Sequence, residues 1–572
     1  MLTPIFLATP TPLTPPTATV PRPGWQHKAT KRPTHSHLSS VAQKPHVMLF
    51  VADDLGWANV GWHRLTPGDP GQSEVRTPNM DQLVRKGIEL DQVYGYKFCA
   101  PSRCALQSGR LPTHVELNNG HMGVYNPSDP VSGFGGIPRN MTGMAQVLKA
   151  AGYATHHVGK WHAGLATRDH TPVGRGYDSS LSYLNARNDY WTELYHWDED
   201  PIGPGSRFVD LWLDDGPAYE LNGSQVDATS TGVTGRVEDF EEHKFLTRVL
   251  SIIGSHDPAV PLFFNYCFHL VHEPLEVPAP YYEAAVYYEA AVLGGDDFEN
   301  YRRTYAAMVH FLDDAVGNVT SLLKQKQMYD DTLLLFLSDN GGPAFSSENP
   351  SGGNNWPLRG AKMQNWQGGI RVPAFASGGW LQQNAPARAG TRLEGLVSIA
   401  DIYATVAALA GVDPTDQRAA AANLPPIDSL DLVPYLMGAV DDSPRSAIHL
   451  DLNAAVARLA DGRLWKLIVG VEAKGCWSGP LSPNASSAAP GSYPDCIGGD
   501  VDCGEGCLFD LLLDPTERDN VAADNPGRLH VMRAMLAEFN RHVFNPTRTG
   551  GDVNLAVSAA VGWGGYVGPW LP

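Results

Sequence analysis

The sequence predicts an α/β fold: a mostly parallel sheet flanked by helices, followed by a smaller C-terminal α+β domain containing an antiparallel sheet. Three observations predict it. Short, wholly apolar runs alternate with segments of helical periodicity as far as residue 430 or so. Clusters of Asp, Asn, Lys and His follow several of those runs directly. Beyond that point the apolar runs shorten and are joined by tight turns such as Asp461-Gly462.

The first element is Val47–Ala52, whose unbroken apolar character fits a strand buried on both faces. It ends in Asp53-Asp54-Leu55-Gly56. Asp81–Gly87 and Met144–Gly152 have apolar residues at helical spacing and end in Gly, a common C-terminal cap. Thr155–Val158 reads as a strand and leads into Gly159-Lys160-Trp161-His162. Leu262–Tyr266 and Thr332–Leu337 are further apolar strands, with a long helical pattern over Tyr301–Met328 between them. Strands alternating with helices imply a parallel sheet covered on both faces. In the smaller domain Ala447–Leu452, Ala455–Leu459 and Trp465–Val469 read as strands; a Cys-rich loop and Leu508-Phe509-Asp510 follow, and Arg528–Val543 reads as a final helix. The expected division is a disordered or poorly defined segment over 1–44, a main domain over 45–427 and a smaller domain over 428–572. Residues 413–427, rich in Asp, Pro and Ala, read as a surface connection.

Bulk properties narrow the function. The 572 residues carry a formal net charge of −19, which argues against nucleic-acid binding. An acidic chain also repels a polyanionic ligand unless positive charge is concentrated at the site. No run of 18 apolar residues exists, so no transmembrane span is expected. The seven cysteines include four between Cys476 and Cys507, in a spacing that suits disulfides better than zinc. With sequons at Asn140, Asn222, Asn318 and Asn484, this favours a secreted glycoprotein, although Ile5–Ala8 is too short for a normal signal-peptide core.

The polar clusters fall where an open α/β sheet collects ligands, at the carboxyl ends of strands. Asp53 and Asp54 follow the first strand, and Asp339 and Asn340 follow Thr332–Leu337. Four hard oxygen donors suit Ca²⁺ or Mg²⁺ rather than zinc; the plain alternative is turn and cap chemistry. Cys99, next in Cys99-Ala100-Pro101-Ser102-Arg103, reads either as an activated thiol beside Arg103 or as a buried structural cysteine, even one bonded to Cys104. Lys160 and His162, two apart, can share one side of an extended segment. His269 and His272 follow Leu262–Tyr266, and Lys362 lies in the Gly-rich Arg359-Gly360-Ala361-Lys362. Singly these are surface groups; together with Arg103 they form a cationic pocket for a tetrahedral anion, sulfate or phosphate.

At this point the chain resembles the type I sulfatases. Cys99 to Arg110 meets their Cys-x-Pro-Ser-Arg-x-x-Leu-x-x-Gly-Arg signature in full. Within the family it is most similar to the arylsulfatase B (N-acetylgalactosamine-4-sulfatase) branch, through Val271-His272-Glu273-Pro274-Leu275, Ser338–Gly342, Gly353–Gly360 and Cys507–Arg518. The resemblance implies an alkaline-phosphatase-like fold and hydrolysis of a sulfate ester, of a sulfated sugar, polysaccharide or aryl alcohol. It implies that a formylglycine-generating enzyme oxidises Cys99 to Cα-formylglycine, whose hydrate is the nucleophile. Asp53, Asp54, Asp339 and Asn340 would hold one Ca²⁺ together with residue 99. Arg103 and Lys160 would fix the hydrate, Lys160, Lys362 and His272 the sulfate, with His272 as acid and His162 as base. Localisation in the secretory pathway, extracellular or lysosome-like, goes with it.

Two departures stand out. Arg187 falls where relatives often carry a small polar residue near the sulfate, and Cys104 sits unusually close to the modified cysteine. A phosphodiesterase or phosphonate hydrolase using the same aldehyde, and an inactive binding protein, are the competing expectations.

Overall fold

Val47, Leu49 and Val51 join one buried cluster while Met48, Phe50 and Ala52 join another, so both faces of the first strand are covered. This computed structural model describes residues 44–120, 123–195, 208–221, 236–285, 296–344, 352–481, 499–544 and 551–572. The expectation for residues 1–44 therefore falls, Lys44 apart, outside the described residues, as do Cys496, Asn222 and Asn484.

Ten strands form the main sheet: β1 (His46–Ala52), β2 (Ile88–Tyr94), β3 (Ala154–Gly159), β4 (Ser179–Ser182), β5 (Trp212–Leu213), β6 (Gly216–Pro217), β7 (Leu262–Cys267), β8 (Thr332–Ser338), β9 (Ala374–Ser377) and β10 (Thr391–Ser398). Their spatial order is β10-β2-β9-β8-β1-β7-β3-β4-β5-β6. β1 pairs in parallel with β8 and β7, and β3 in parallel with β7 and β4. β9 runs antiparallel between β8 and β2, so β2 regains the common direction. The carboxyl ends of β8, β1, β7, β3 and β2 consequently open on one edge.

Helices α1 (Pro78–Lys86), α4 (Glu241–Ser255) and α5 (Asp296–Gln325) cover the Met48/Phe50 face through Leu83, Phe245 and Phe311. Helices α2 (Cys99–Ser108), α3 (Met144–Ala150) and α6 (Asp401–Leu409) cover the other face through Ala105, Leu148 and Tyr403. Each such buried Leu or Phe contributes about 1.5–3 kcal/mol. The helices and strands expected from periodicity are all present within a few residues. Elements that the apolar pattern did not mark include β2, β4, β9, β10, α2, α4 and α6.

The smaller sheet is antiparallel, in the order β11 (Ala447–Asp451), β12 (Ala454–Arg458), β13 (Leu464–Ile468) and β14 (Cys507–Asp510). Helix α7 (Pro526–Asn540) packs Met532 and Leu536 on Trp465 and Leu467. Residues Pro45–Pro572 form a single compact unit, and polar links bind the sheets together. The Arg445 Nε donates to Asp401 at 2.7 Å, and Glu517 Oε2 accepts from Gln367 N at 2.6 Å. The 413–427 connection is exposed along most of its length, but Asp416 turns inward to accept from Arg110 Nη2 at 2.8 Å. It also caps a short helix there through Ala419 N. No helix among the described residues is long and apolar enough to cross a membrane.

Candidate active site

The chain leaves each central strand through a residue that carries a functional group. After β1 the carboxylates of Asp53 and Asp54 follow at once, 0% and 1% exposed. Asp54 adopts φ 61°, a left-handed conformation that costs a non-glycine residue about 1 kcal/mol or more. Tyr305 Oη anchors this turn, donating to Asp54 O at 2.8 Å and accepting from Gly56 N at 3.2 Å. After β8 come Asp339 and Asn340, both fully buried. After β3, Gly159 turns at φ 96°, and a Cβ there would lie 1.8 Å from Cys267 O. Only glycine delivers Lys160 into the site by this route.

Cys99 is the first residue of α2, behind the extended Phe98 and at the positive end of the helix. Pro101 is tolerated because it lies in the first turn, where backbone N–H groups have no helical partner. Tyr96 Oη and Lys97 Nζ hold the approach to it, donating to Asp451 at 2.9 and 2.6 Å. Cys99 and Cys104 are both thiols, not joined to each other, which removes the disulfide alternative. Five positions apart on a helix they point to different sides, and Cys104 packs in the core.

Three ion pairs organise the centre. Lys160 Nζ meets Asp53 Oδ2 at 2.5 Å, Arg103 Nε meets Asp339 Oδ2 at 2.8 Å, and Lys362 Nζ meets Asp54 Oδ2 at 2.8 Å. Cys99 Sγ lies 3.6 Å from Asp53 Oδ1. Asn340 Nδ2 donates to Asp54 Oδ1 at 2.7 Å, while its Oδ1 is buried with no hydrogen-bond partner among the described residues. Burial pushes the Asp53 carboxyl above its ordinary range, against the pull of Lys160. Burial pushes Asp339 the same way, but Arg103, Lys160 and Lys362 outweigh it and hold that carboxyl below its ordinary range. Burial raises the Cys99 thiol to about 12, so as a thiol it is protonated and a poor nucleophile at neutral pH.

The loop that carries Lys362 is fixed from within. Asn355 Nδ2 donates to Gly342 O at 2.7 Å and Gly360 O at 3.1 Å, and its Oδ1 accepts from Gly342 N at 3.0 Å. Arg359 stacks its guanidinium 3.5 Å from the Trp366 ring and donates to Lys474 O and Gly475 O. These contacts explain why the Gly353–Gly360 stretch needs its particular polar and aromatic residues.

His162, His269 and His272 are all buried. His162 does not continue an extended segment as the Lys160/His162 spacing suggested; it turns at φ 45°. Its Nε2 lies 2.9 Å from Gly120 O, which places the proton on Nε2 and leaves Nδ1, without a partner, as the acceptor. His272 Nδ1 lies 2.7 Å from Glu273 O, and its Nε2 is 3.1 Å from Lys362 Nζ and 3.6 Å from Asp54 Oδ2. Burial, then Lys160 for His162 and Lys362 for His272, pushes both imidazoles well below their ordinary value.

A second layer escaped sequence reasoning. His269 Nδ1 lies 2.9 Å from Glu241 Oε2, and Glu242 Oε2 accepts from Tyr266 Oη at 3.2 Å. Glu242 is pushed up to about 8 by burial. Two acidic residues at the start of a helix look like ordinary dipole partners, and nothing in their spacing reveals that both are buried beneath the site.

The side-chain chemistry matches a hard-cation and anion site in one pocket. Ligand atoms of Asp53, Asp54, Cys99 and His272 lie within 4.8 Å of one another. The buried Asn340 Oδ1, without a hydrogen-bond partner among the described residues, adds an oxygen donor to this group, so the residues present fit a metal ion.

Comparison with known proteins defines the class. The sulfatase family profile matches residues 45–412, and the chain belongs to the sulfatase family. It is therefore a sulfuric ester hydrolase. The mouse (Mus musculus) arylsulfatase J is 29% identical over 514 residues, covering 87% of this chain and 76% of that protein. The pig (Sus scrofa) N-acetylgalactosamine-6-sulfatase is 30% identical over 413 residues, covering 71% and 69%. Among solved structures, Ps i-CgsB superposes with a TM-score of 0.63 at 24% identity, covering 88% of this chain and 94% of that one. The fold is thus that of the sulfatases, with the large mixed sheet between helices and the separate antiparallel sheet beyond it.

Proposed function

We propose that the chain hydrolyses a sulfate ester of a sulfated sugar, using a formylglycine made from Cys99 and one bound Ca²⁺. The observation that carries this reading is the convergence of Cys99, three carboxylates, Asn340, three cations and two histidines at the carboxyl ends of adjacent parallel strands. Asp53, Asp54, Asp339 and Asn340 would hold the cation, beside residue 99. The hydrated aldehyde would supply one hydroxyl as nucleophile and a second whose deprotonation would release sulfate, and the cation would lower the hydroxyl's pKa and neutralise charge.

The chain's own groups take the remaining roles. Lys160 and Lys362 hold the sulfuryl oxygens and offset the charge that builds there in transfer. Arg103, tied to Asp339 and to Lys160 O at 3.2 Å, keeps residue 99 and Lys160 in register. His272 Nε2 accepts from the Lys362 ammonium; a bound sulfate ester, by its negative charge, would favour the protonated ring, whose Nε2 would then be placed to protonate the departing sugar oxygen. His162 Nδ1 is the buried acceptor that takes the proton from residue 99 after transfer.

A sugar substrate is supported by the relatives' names. The pig relative is an N-acetylgalactosamine-6-sulfatase, and a structure with TM-score 0.63 holds k-i-k-neocarrahexaose. The arylsulfatase B branch remains the reading suggested by Val271–Leu275 and Gly353–Gly360. Maturation by a formylglycine-generating enzyme and passage through the secretory pathway fit the Cys503–Cys507 disulfide. The test is Cys99→Ala assayed on sulfated sugars and aryl sulfates. Turnover should vanish with the fold unchanged, and retained sulfatase activity would exclude the proposed nucleophile.

A further inference from the structure

The segment after β4 forms one wall beside His272, and it is rigidly held on both sides of residue 187. Asn185 Nδ2 donates to Asp210 Oδ2 at 2.9 Å, and Asn188 Nδ2 to Glu241 Oε1 at 2.6 Å. Tyr190 Oη donates to the carbonyls of both His269 and His272, each at 2.9 Å. Between these buried anchors Arg187 turns outward. Its Nη1 meets Glu273 Oε1 at 2.5 Å, and Glu273 is the residue whose carbonyl holds the His272 ring.

Exposure separates this pair from the catalytic cations. The side chains of Lys160, Arg103 and Lys362 are 0%, 2% and 14% exposed, whereas Arg187 and Glu273 are 23% and 38% exposed. Arg187 therefore stands at the rim, paired with the residue that follows His272. Its charge is felt inside, since it helps to lower His269 after burial, Lys160 and Arg103.

We propose that Arg187 is a specificity-determining residue that binds a second anionic group of the substrate, a carboxylate or a second sulfate ester, on the leaving-group side of the scissile ester. The proposal rests on the sulfatase reading above. An arginine presents a planar fork suited to both anions, and Glu273 holds that fork extended before substrate arrives. Being half-open to solvent, the Glu273 carboxylate is an exchangeable partner. In a chain of net charge −19, a rim cation also gives a doubly anionic sugar a local attraction that the rest of the surface denies it.

The experiment compares wild type, Arg187→Gln and Arg187→Lys on an aryl sulfate, a monosulfated disaccharide bearing a uronate, and a disulfated sugar. Arg187→Gln should keep kcat/KM on the aryl sulfate within about twofold and lose about tenfold or more on a two-anion substrate, with Arg187→Lys recovering part of the loss. Loss on the uronate alone identifies a carboxylate partner, and loss on the disulfated sugar alone a sulfate. Equal loss on all three substrates, or none, overturns the proposal. Calorimetric affinity for the disulfated sugar and the uronate, measured in a Cys99→Ala background, needs no turnover. Weaker binding on adding Arg187→Gln supports the assignment even if wild type cleaves no sulfate ester, and unchanged affinity for both sugars overturns it.

Discussion

Lys160 and Asp53 meet at 2.5 Å across the end of β7, with both side chains fully buried. They leave β3 and β1, the two parallel neighbours of that strand, so the sheet itself sets their separation. The pair is costly to break. Lys160→Met should lower the stability of the metal-free protein by about 3–5 kcal/mol, because Asp53 is left buried beside Arg103 alone. Urea unfolding in EDTA measures this, and an unchanged midpoint would contradict it.

Asn340 separates metal affinity from folding. Its Oδ1 has no hydrogen-bond partner among the described residues. Asn340→Ala should reduce calcium affinity about tenfold or more while costing about 1–2 kcal/mol of metal-free stability through the lost Asp54 contact. Calcium titration by calorimetry distinguishes this from a purely structural role, in which stability would fall and affinity would not.

His272 is assigned to the leaving group, and leaving groups differ in their need for a proton. His272→Ala should slow hydrolysis of a sugar sulfate by about 10²–10⁴-fold. A nitrophenyl sulfate, whose phenolate departs unaided, should be affected far less. Equal effects on both substrates would move His272 from proton transfer to binding.

Much of this site was legible from the chain. Asp53-Asp54, Asp339-Asn340, Lys160, His272 and Lys362 follow apolar runs or Gly-rich loops, and the geometry gathers all of them. Parallel strands explain why, since residues far apart in sequence share one sheet edge. What stayed hidden depends on burial of polar groups. Glu241 carries no signal in the sequence, and His269 reads as one member of the cationic pocket until its 2.9 Å contact with Glu241 is seen. β2, with Glu89 and Asp91 in its middle, lacks an apolar signature because Arg371 pairs with Asp91 inside the fold.

The smaller sheet supports the site through a second buried pair. Lys466 and Glu517 are both 0% exposed, and Glu517 Oε2 accepts from Gln367 N at 2.6 Å. Lys466→Met should destabilise by about 3–5 kcal/mol, and the double variant with Glu517→Gln should cost less than the two single changes summed. Additive losses in a double-mutant cycle would show that the two groups act independently.

The central claim concerns what residue 99 becomes. Mass spectrometry of the tryptic peptide Phe98–Arg103, from protein isolated from its natural source, reads it directly. The account predicts the mass of an aldehyde, or of its hydrate, at Cys99. An unmodified thiol in protein that nevertheless hydrolyses sulfate esters would contradict it.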